Sequence, residues 1–271
     1  MSGPQATSPI DELFERTRAE NRAALVGYLP SGFPTKELSV RAIEAMVEGG
    51  VDLVEVGLPY SDPVMDGPVI QAAAEQALAA GSRTTDVFDV VRASAATGAP
   101  TVVMTYWNPV ERHGVDRFAA DLAAAGGSGL ITPDLIPDEA GDWIAASETH
   151  GLDRIFLVAP SSTDERLAMT VEAASGFVYA TAVMGVTGAR DQTSSLGEEL
   201  VARVKKVTDK PAGVGLGVSN GAQAHEIAAY ADAVIVGSAL VRCLLDAADE
   251  SAGLDAIRAL AQDLRAGVER S

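Results

Sequence analysis

Two carboxylates flank the end of one short apolar run. Glu55 lies inside residues 52–57, DLVEVG, and Asp66 lies in the Pro- and Gly-rich stretch that follows, LPYSDPVMDGP. A carboxylate within an apolar run is costly unless it is paired, hydrogen-bonded or neutralised. Two placements are open for Glu55. Turned outward, it would meet an Arg or Lys between helices. Turned inward, desolvation would raise its pKa and suit it to give and take a proton near neutrality. Asp66 precedes Gly67, a common turn pair, so taken singly it reads as a solvated turn residue. Facing the same pocket as Glu55, it would supply a second, differently tuned carboxyl.

Late in the chain come three glycine-containing segments: GVTGA at 185–189, GLGVS at 215–219 and GSA at 237–239. Glycine lets backbone N–H groups approach an anion, and a helix beginning at Ser238 would aim its positive end at one. Together they read as a phosphate cradle, with 238–246 as the short helix that completes it. Residues 185–195 are polar and punctuated by glycine, the composition of a closing lid or of an ordinary exposed loop.

Stepping through the rest of the chain, apolar runs that suit buried parallel strands fall at 23–29, 52–57, 100–106, 129–132, 154–159, 177–182, 211–216 and 232–236. Amphipathic segments separate them, at 36–48, 115–125, 138–150, 163–174, 197–207, 223–230 and 254–266. A long segment at 68–96 is interrupted at Gly81 and Ser82. Residues 9–21 precede the first strand and would cap the bottom of the fold. The alternation predicts a single-domain (β/α)8 TIM barrel over residues 1–271, with residues 1–8 as a disordered tail. Chemistry in such a barrel belongs at the C-terminal strand ends, which is where both the carboxylates and the glycines lie.

The net charge of −18 disfavours nucleic acid and anionic membranes, yet backbone N–H groups can still bind a small phosphate. The one cysteine, Cys243, lies among aliphatic residues and reads as a small buried hydrophobe. No leader pattern or membrane-length apolar run appears, so the chain reads as cytoplasmic. His113, His150 and His225 are isolated, and no metal site is expected. Lys36, Lys205, Lys206 and Lys210 lie in or beside helices rather than within strands, which fits a Schiff-base mechanism poorly.

Residues 54–67, VEVGLPYSDPVMDG, resemble the signature of tryptophan synthase α subunits, and the likeness extends from Asn21 to about Val268. It departs from the family at Met65, where a smaller residue is usual, and in 134–139, which carries an extra residue before Pro137. The resemblance implies retro-aldol cleavage of indole-3-glycerol phosphate to indole and glyceraldehyde 3-phosphate. Glu55 would be the general acid and base, Asp66 would stabilise the indole nitrogen, and Tyr179 would stand near Glu55. It assigns phosphate contacts to Gly188, Gly217, Gly237 and Ser238, the indole pocket to Tyr28, Met104 and Leu216, and a lid contact with Asp66 to Thr187. It also implies a β-subunit partner in an αββα heterotetramer. Pyridoxal phosphate would belong to that partner, and this chain would hold no cofactor. Segments 60–63, 106–114 and 132–138 would touch the partner. Rival readings are a lysine-dependent barrel such as indole-3-glycerol phosphate synthase, a stand-alone indole-releasing lyase, and a catalytically silent activator of the β subunit.

Overall fold

The structure, a computed structural model, describes residues 7–181, 190–215 and 217–270, with backbone alone for 190–194. Eight short strands form the wall: β1 (Ala24–Pro30), β2 (Leu53–Gly57), β3 (Thr101–Met104), β4 (Gly129–Thr132), β5 (Asp153–Val158), β6 (Val178–Thr181), β7 (Ala212–Gly215) and β8 (Ala233–Val236). Each pairs in parallel with the next, and β8 pairs with β1, so the sheet closes into a barrel without free edges.

Helices form the jacket. In chain order they are α1 (Pro9–Ala19), α2 (Lys36–Glu48), α3 (Pro68–Ala79), α4 (Asp86–Ala95), α5 (Trp107–His113), α6 (Val115–Ala124), α7 (Gly141–His150), α8 (Asp164–Ala173), α9 (Arg190–Lys205), α10 (Gly221–Ala228), α11 (Ser238–Leu245) and α12 (Glu250–Gly267). Local chemistry starts several of them. Thr35, Thr163, Asn220 and Asp249 cap α2, α8, α10 and α12 by accepting a backbone N–H three residues on. Ser8 and Asp11 form a reciprocal capping box at α1, with Ser8 as the N-cap.

Side chains alternate across each strand, which sorts them into two layers. Val26, Leu53, Val102, Ile131, Ile155, Phe177 and Ile235 fill the barrel interior, and Ile10, Leu13 and Phe14 of α1 close it from below. Leu25, Val54, Val56, Val103, Leu130, Phe156, Val178, Val214 and Val234 face the helices. At the lower rim Arg22 clasps Asp52 with two hydrogen bonds of 2.6 and 2.8 Å. Asp52 also accepts the Leu25 N–H at 2.9 Å, which locks the start of β1 to β2. A cavity of about 720 Å³ at this lower end lies beside α1 and the strand beginnings, lined by Ser8, Asp11, Asp153 and Lys210 among others. It is on the face opposite the one where such barrels do chemistry.

The expected elements are all found, most of them with altered limits. The expected helix at 138–150 is a 3₁₀ turn, Pro137–Glu139, followed by α7. α9 begins at Arg190, so residues 190–195 of the expected lid are helical backbone. α5 is additional: the third strand stops at Met104, and Pro109 stands in the first turn of a helix where its missing N–H costs nothing.

Candidate active site

The alternation that sorts the core settles where Glu55 points. Leu53, two residues before it on β2, belongs to the interior layer, whereas Val54 and Val56 belong to the outer one. Glu55 therefore enters the barrel, where it is 1% exposed and its Oε2 has no hydrogen-bond partner among the described residues. Burial, and then the negative charge of Asp66, push its pKa up to about 8. At neutral pH it is mostly a neutral acid.

Asp66 lies in the loop between β2 and α3, partly buried at the mouth. Burial raises its carboxyl to about 6, while a hydrogen bond from the Tyr106 hydroxyl pulls the other way. It remains mostly an anion at pH 7. Two carboxyls with pKa values pushed apart, one neutral and one charged, are what an acid paired with an electrostatic stabiliser requires.

Tyr28 on β1 is the register partner of Glu55. Its ring runs over Gly57, where a Cβ would overlap the phenol, and its other edge lies beside Gly237, where a Cβ would sit 3.4 Å from Cδ1. The β2 strand end needs glycine because the tyrosine occupies that space. Burial and the charges of Asp66 and Glu55 hold the Tyr28 phenol well above its ordinary pKa, so it stays protonated. Tyr179 on β6 packs against the interior layer with its hydroxyl over Gly215, and burial and the Glu55 charge raise its pKa too. Met104 ends β3, pairs in register with Gly57 and packs on the same interior layer.

The glycine-rich side lies across β1 from the carboxylates. Gly237 follows β8, and Ser238 opens α11, whose first turn has no side-chain cap. Among the described residues no side chain caps its leading N–H groups, the condition for holding an anion. Gly217, at φ +66°, follows β7 and is exposed. Thr187, Gly188 and Leu216, the remaining residues expected at the site, lie outside the described residues.

Both departures in sequence lie on loops, one directly before Asp66 and one after β4. Met65 is 56% exposed, and its backbone N–H donates to the Tyr106 hydroxyl at 2.9 Å. In the 134–139 segment Leu135 is buried and Ile136 exposed, while Asp134 accepts the Trp107 N–H at 2.9 Å. Tyr106 was not among the residues singled out in the sequence. The available signal was its place at the end of an apolar run just before an Asn-Pro helix start.

Among the described residues, no group of three or more His, Cys, Asp or Glu side chains is placed to hold a metal. Lys36 pairs with Asp89, Lys205 with Asp232, and Lys210 donates to carbonyls at the end of α8. None of these ammonium groups turns toward Glu55. No helix among the described residues is long and apolar enough to cross a membrane.

A closed parallel barrel with its carboxyls and glycines at the C-terminal strand ends places the chain among (β/α)8 TIM barrels. The family model for the tryptophan synthase alpha chain matches residues 14–269, and the chain belongs to that family. It is accordingly a lyase of tryptophan biosynthesis. It is 66% identical over 261 residues to the tryptophan synthase alpha chain of Salinispora arenicola, covering 96% of this chain and 98% of that one. To the corresponding chain of Nocardia farcinica it is 63% identical, covering 96% of each. A solved Mycobacterium tuberculosis tryptophan synthase superposes with a TM-score of 0.91 at 60% identity, covering 98% of this chain and 100% of that one. The alpha subunit from Legionella pneumophila gives 0.89 at 33% identity, covering 97% and 99%. The barrel is retained while two thirds of the residues differ.

Proposed function

We propose that the mouth of this barrel cleaves indole-3-glycerol phosphate to indole and glyceraldehyde 3-phosphate, with Glu55 as acid and base and Asp66 as the fixed anion. Neutral Glu55 gives its proton to indole C3, and the positive charge that spreads onto the ring nitrogen is met by Asp66. Glu55, now a carboxylate, takes the proton from the glycerol hydroxyl next to the ring. The C–C bond breaks, its electrons return to the ring, and an aldehyde leaves. Glu55 ends as it began.

Tyr28 and Met104 form walls for the planar ring, with Leu216 assigned the same role. Tyr179 stands beside the acid. Gly217, Gly237 and the Ser238 N–H hold the phosphate across β1 from the carboxylates, with Gly188 completing the cradle and Thr187 reaching Asp66. The order of strands around the barrel supports this span, since β8, β1 and β2 are neighbours. The partner is a tryptophan synthase β subunit in an αββα assembly, which carries the pyridoxal phosphate, and the setting is cytoplasmic. Exposed Val64, Met65 and Ile136, on loops after β2 and β4 at the mouth, support a docking face there.

The observation that carries the reading is the buried Glu55 carboxyl, its Oε2 without a partner among the described residues, held neutral by burial and the Asp66 charge. Glyceraldehyde 3-phosphate release tests it. Glu55→Gln and Asp66→Asn should each lower kcat by about 10³-fold or more with the fold intact. Retained turnover in Glu55→Gln would overturn it.

A further inference from the structure

We propose that Tyr106 is the positioning residue of this site, its phenol holding the loop after β2 so that the Asp66 carboxylate faces the substrate nitrogen. The inference rests on the role given to Asp66 above. The phenol oxygen accepts the Met65 N–H at 2.9 Å, and the carboxyl of the next residue, Asp66, is near enough for that hydroxyl to lower its pKa. The bond to the Met65 N–H fixes the backbone next to Asp66, and a hydroxyl beside a carboxylate favours its charged form.

The loop needs such a hold. Ser61, Asp62, Val64 and Met65 are exposed, and the short bonds from Val64 to Asp62 and from Asp66 to Pro63 shape the loop without tying it to the barrel. Gln71 Nε2 reaches back from α3 to the Asp66 carbonyl at 2.7 Å and secures the backbone beyond the carboxylate. Tyr106 secures it from the other side. The Tyr60 ring, earlier in the same loop, lies 5.4 Å from the Tyr106 ring at a tilt of 33°.

Tyr106 is itself well anchored. It immediately precedes α5, its carbonyl accepts the Thr105 hydroxyl at 3.0 Å, and the next N–H, from Trp107, is taken by Asp134 at 2.9 Å. Loops after three successive strands are thereby joined through Tyr106 and its neighbour Trp107. The phenol is the only part of Tyr106 this role requires, since the ring packing on Tyr60 would survive its loss.

Tyr106→Phe in the full chain, reconstituted with a β chain and assayed by glyceraldehyde 3-phosphate release, tests this. The variant should lose about 10- to 100-fold in kcat with little change in KM. The acid limb of its kcat/KM profile should move upward by about one pH unit as Asp66 loses its donor, with the basic limb unmoved. In an Asp66→Asn background the same substitution should cost nothing further, because the contact it removes no longer holds a carboxylate. Unchanged kcat in Tyr106→Phe, or an equal loss in both backgrounds with the acid limb unmoved, would overturn the proposal. Glu55→Gln run alongside keeps the two readings apart: if it remains active, the assignment of the carboxylates fails, and if it is dead while Tyr106→Phe is normal, only the role of Tyr106 fails.

Discussion

Replacing Glu55 by Gln should stabilise the protein, and by an amount that depends on pH. In the folded chain burial and Asp66 raise the Glu55 carboxyl from 4.5 to about 8. An unfolded chain loses that proton near the ordinary value, so between the two values folding must take a proton up. Folded stability therefore falls as pH rises through this window and levels off above it. At ~1.4 kcal/mol per pH unit, the cost of Glu55 is close to zero at pH 4, about 3 kcal/mol at pH 7 and about 5 kcal/mol above pH 9. An amide of the same shape carries no such dependence, and whatever its buried NH₂ costs is the same at every pH. Thermal or urea unfolding of parent and variant at pH 4.5, 7 and 8.5 measures the difference. For a chain of this size the melting temperature of the variant, relative to the parent, should rise by about 6–10 °C between the first and second of these conditions. A stability difference that stays flat across the range, or shrinks toward high pH, would mean that the carboxyl is ionised in the folded state, and the acid role would go with it.

Two further substitutions probe the surrounding geometry. Gly57→Ala puts a methyl into the Tyr28 phenol, so the ring must shift; a loss of about 1–3 kcal/mol in unfolding and a drop in kcat are expected. Ser238→Asp places a carboxylate at the uncapped start of α11, where it competes with the substrate phosphate. KM should rise by about tenfold or more in steady-state assays while the melting temperature holds or rises, since an acidic residue suits a helix N-terminus.

Much of this architecture is written in short-range patterns. The fourth strand, 129–132, is found at its expected limits because four apolar or small residues are bounded by loops, and α2 is found at 36–48 because its apolar stripe and Thr35 cap agree. The orientation of Glu55 is different in kind. A lone charged residue in a run buried on both faces fits either parity, and only the partition of Leu53 and Val54 into separate layers decides it. α5 escapes notice because strand-like Thr105 and Tyr106 continue the apolar run of β3, and the helix after them spans seven residues. The contact between the Tyr106 hydroxyl and the Met65 N–H joins residues 41 apart in sequence, and no local pattern announces it.

The helix that plugs the lower end has a bearing on traffic. With Ile10, Leu13 and Phe14 seated under an interior packed with Val26, Leu53, Ile155 and Phe177, the barrel is a blind well rather than a pipe. Among the described residues, that packing leaves the rim as the way in and out for a molecule bound beside Glu55. A body clamped over that rim would receive every molecule released, and a stopper loosened at the bottom would open the sole route of escape behind it.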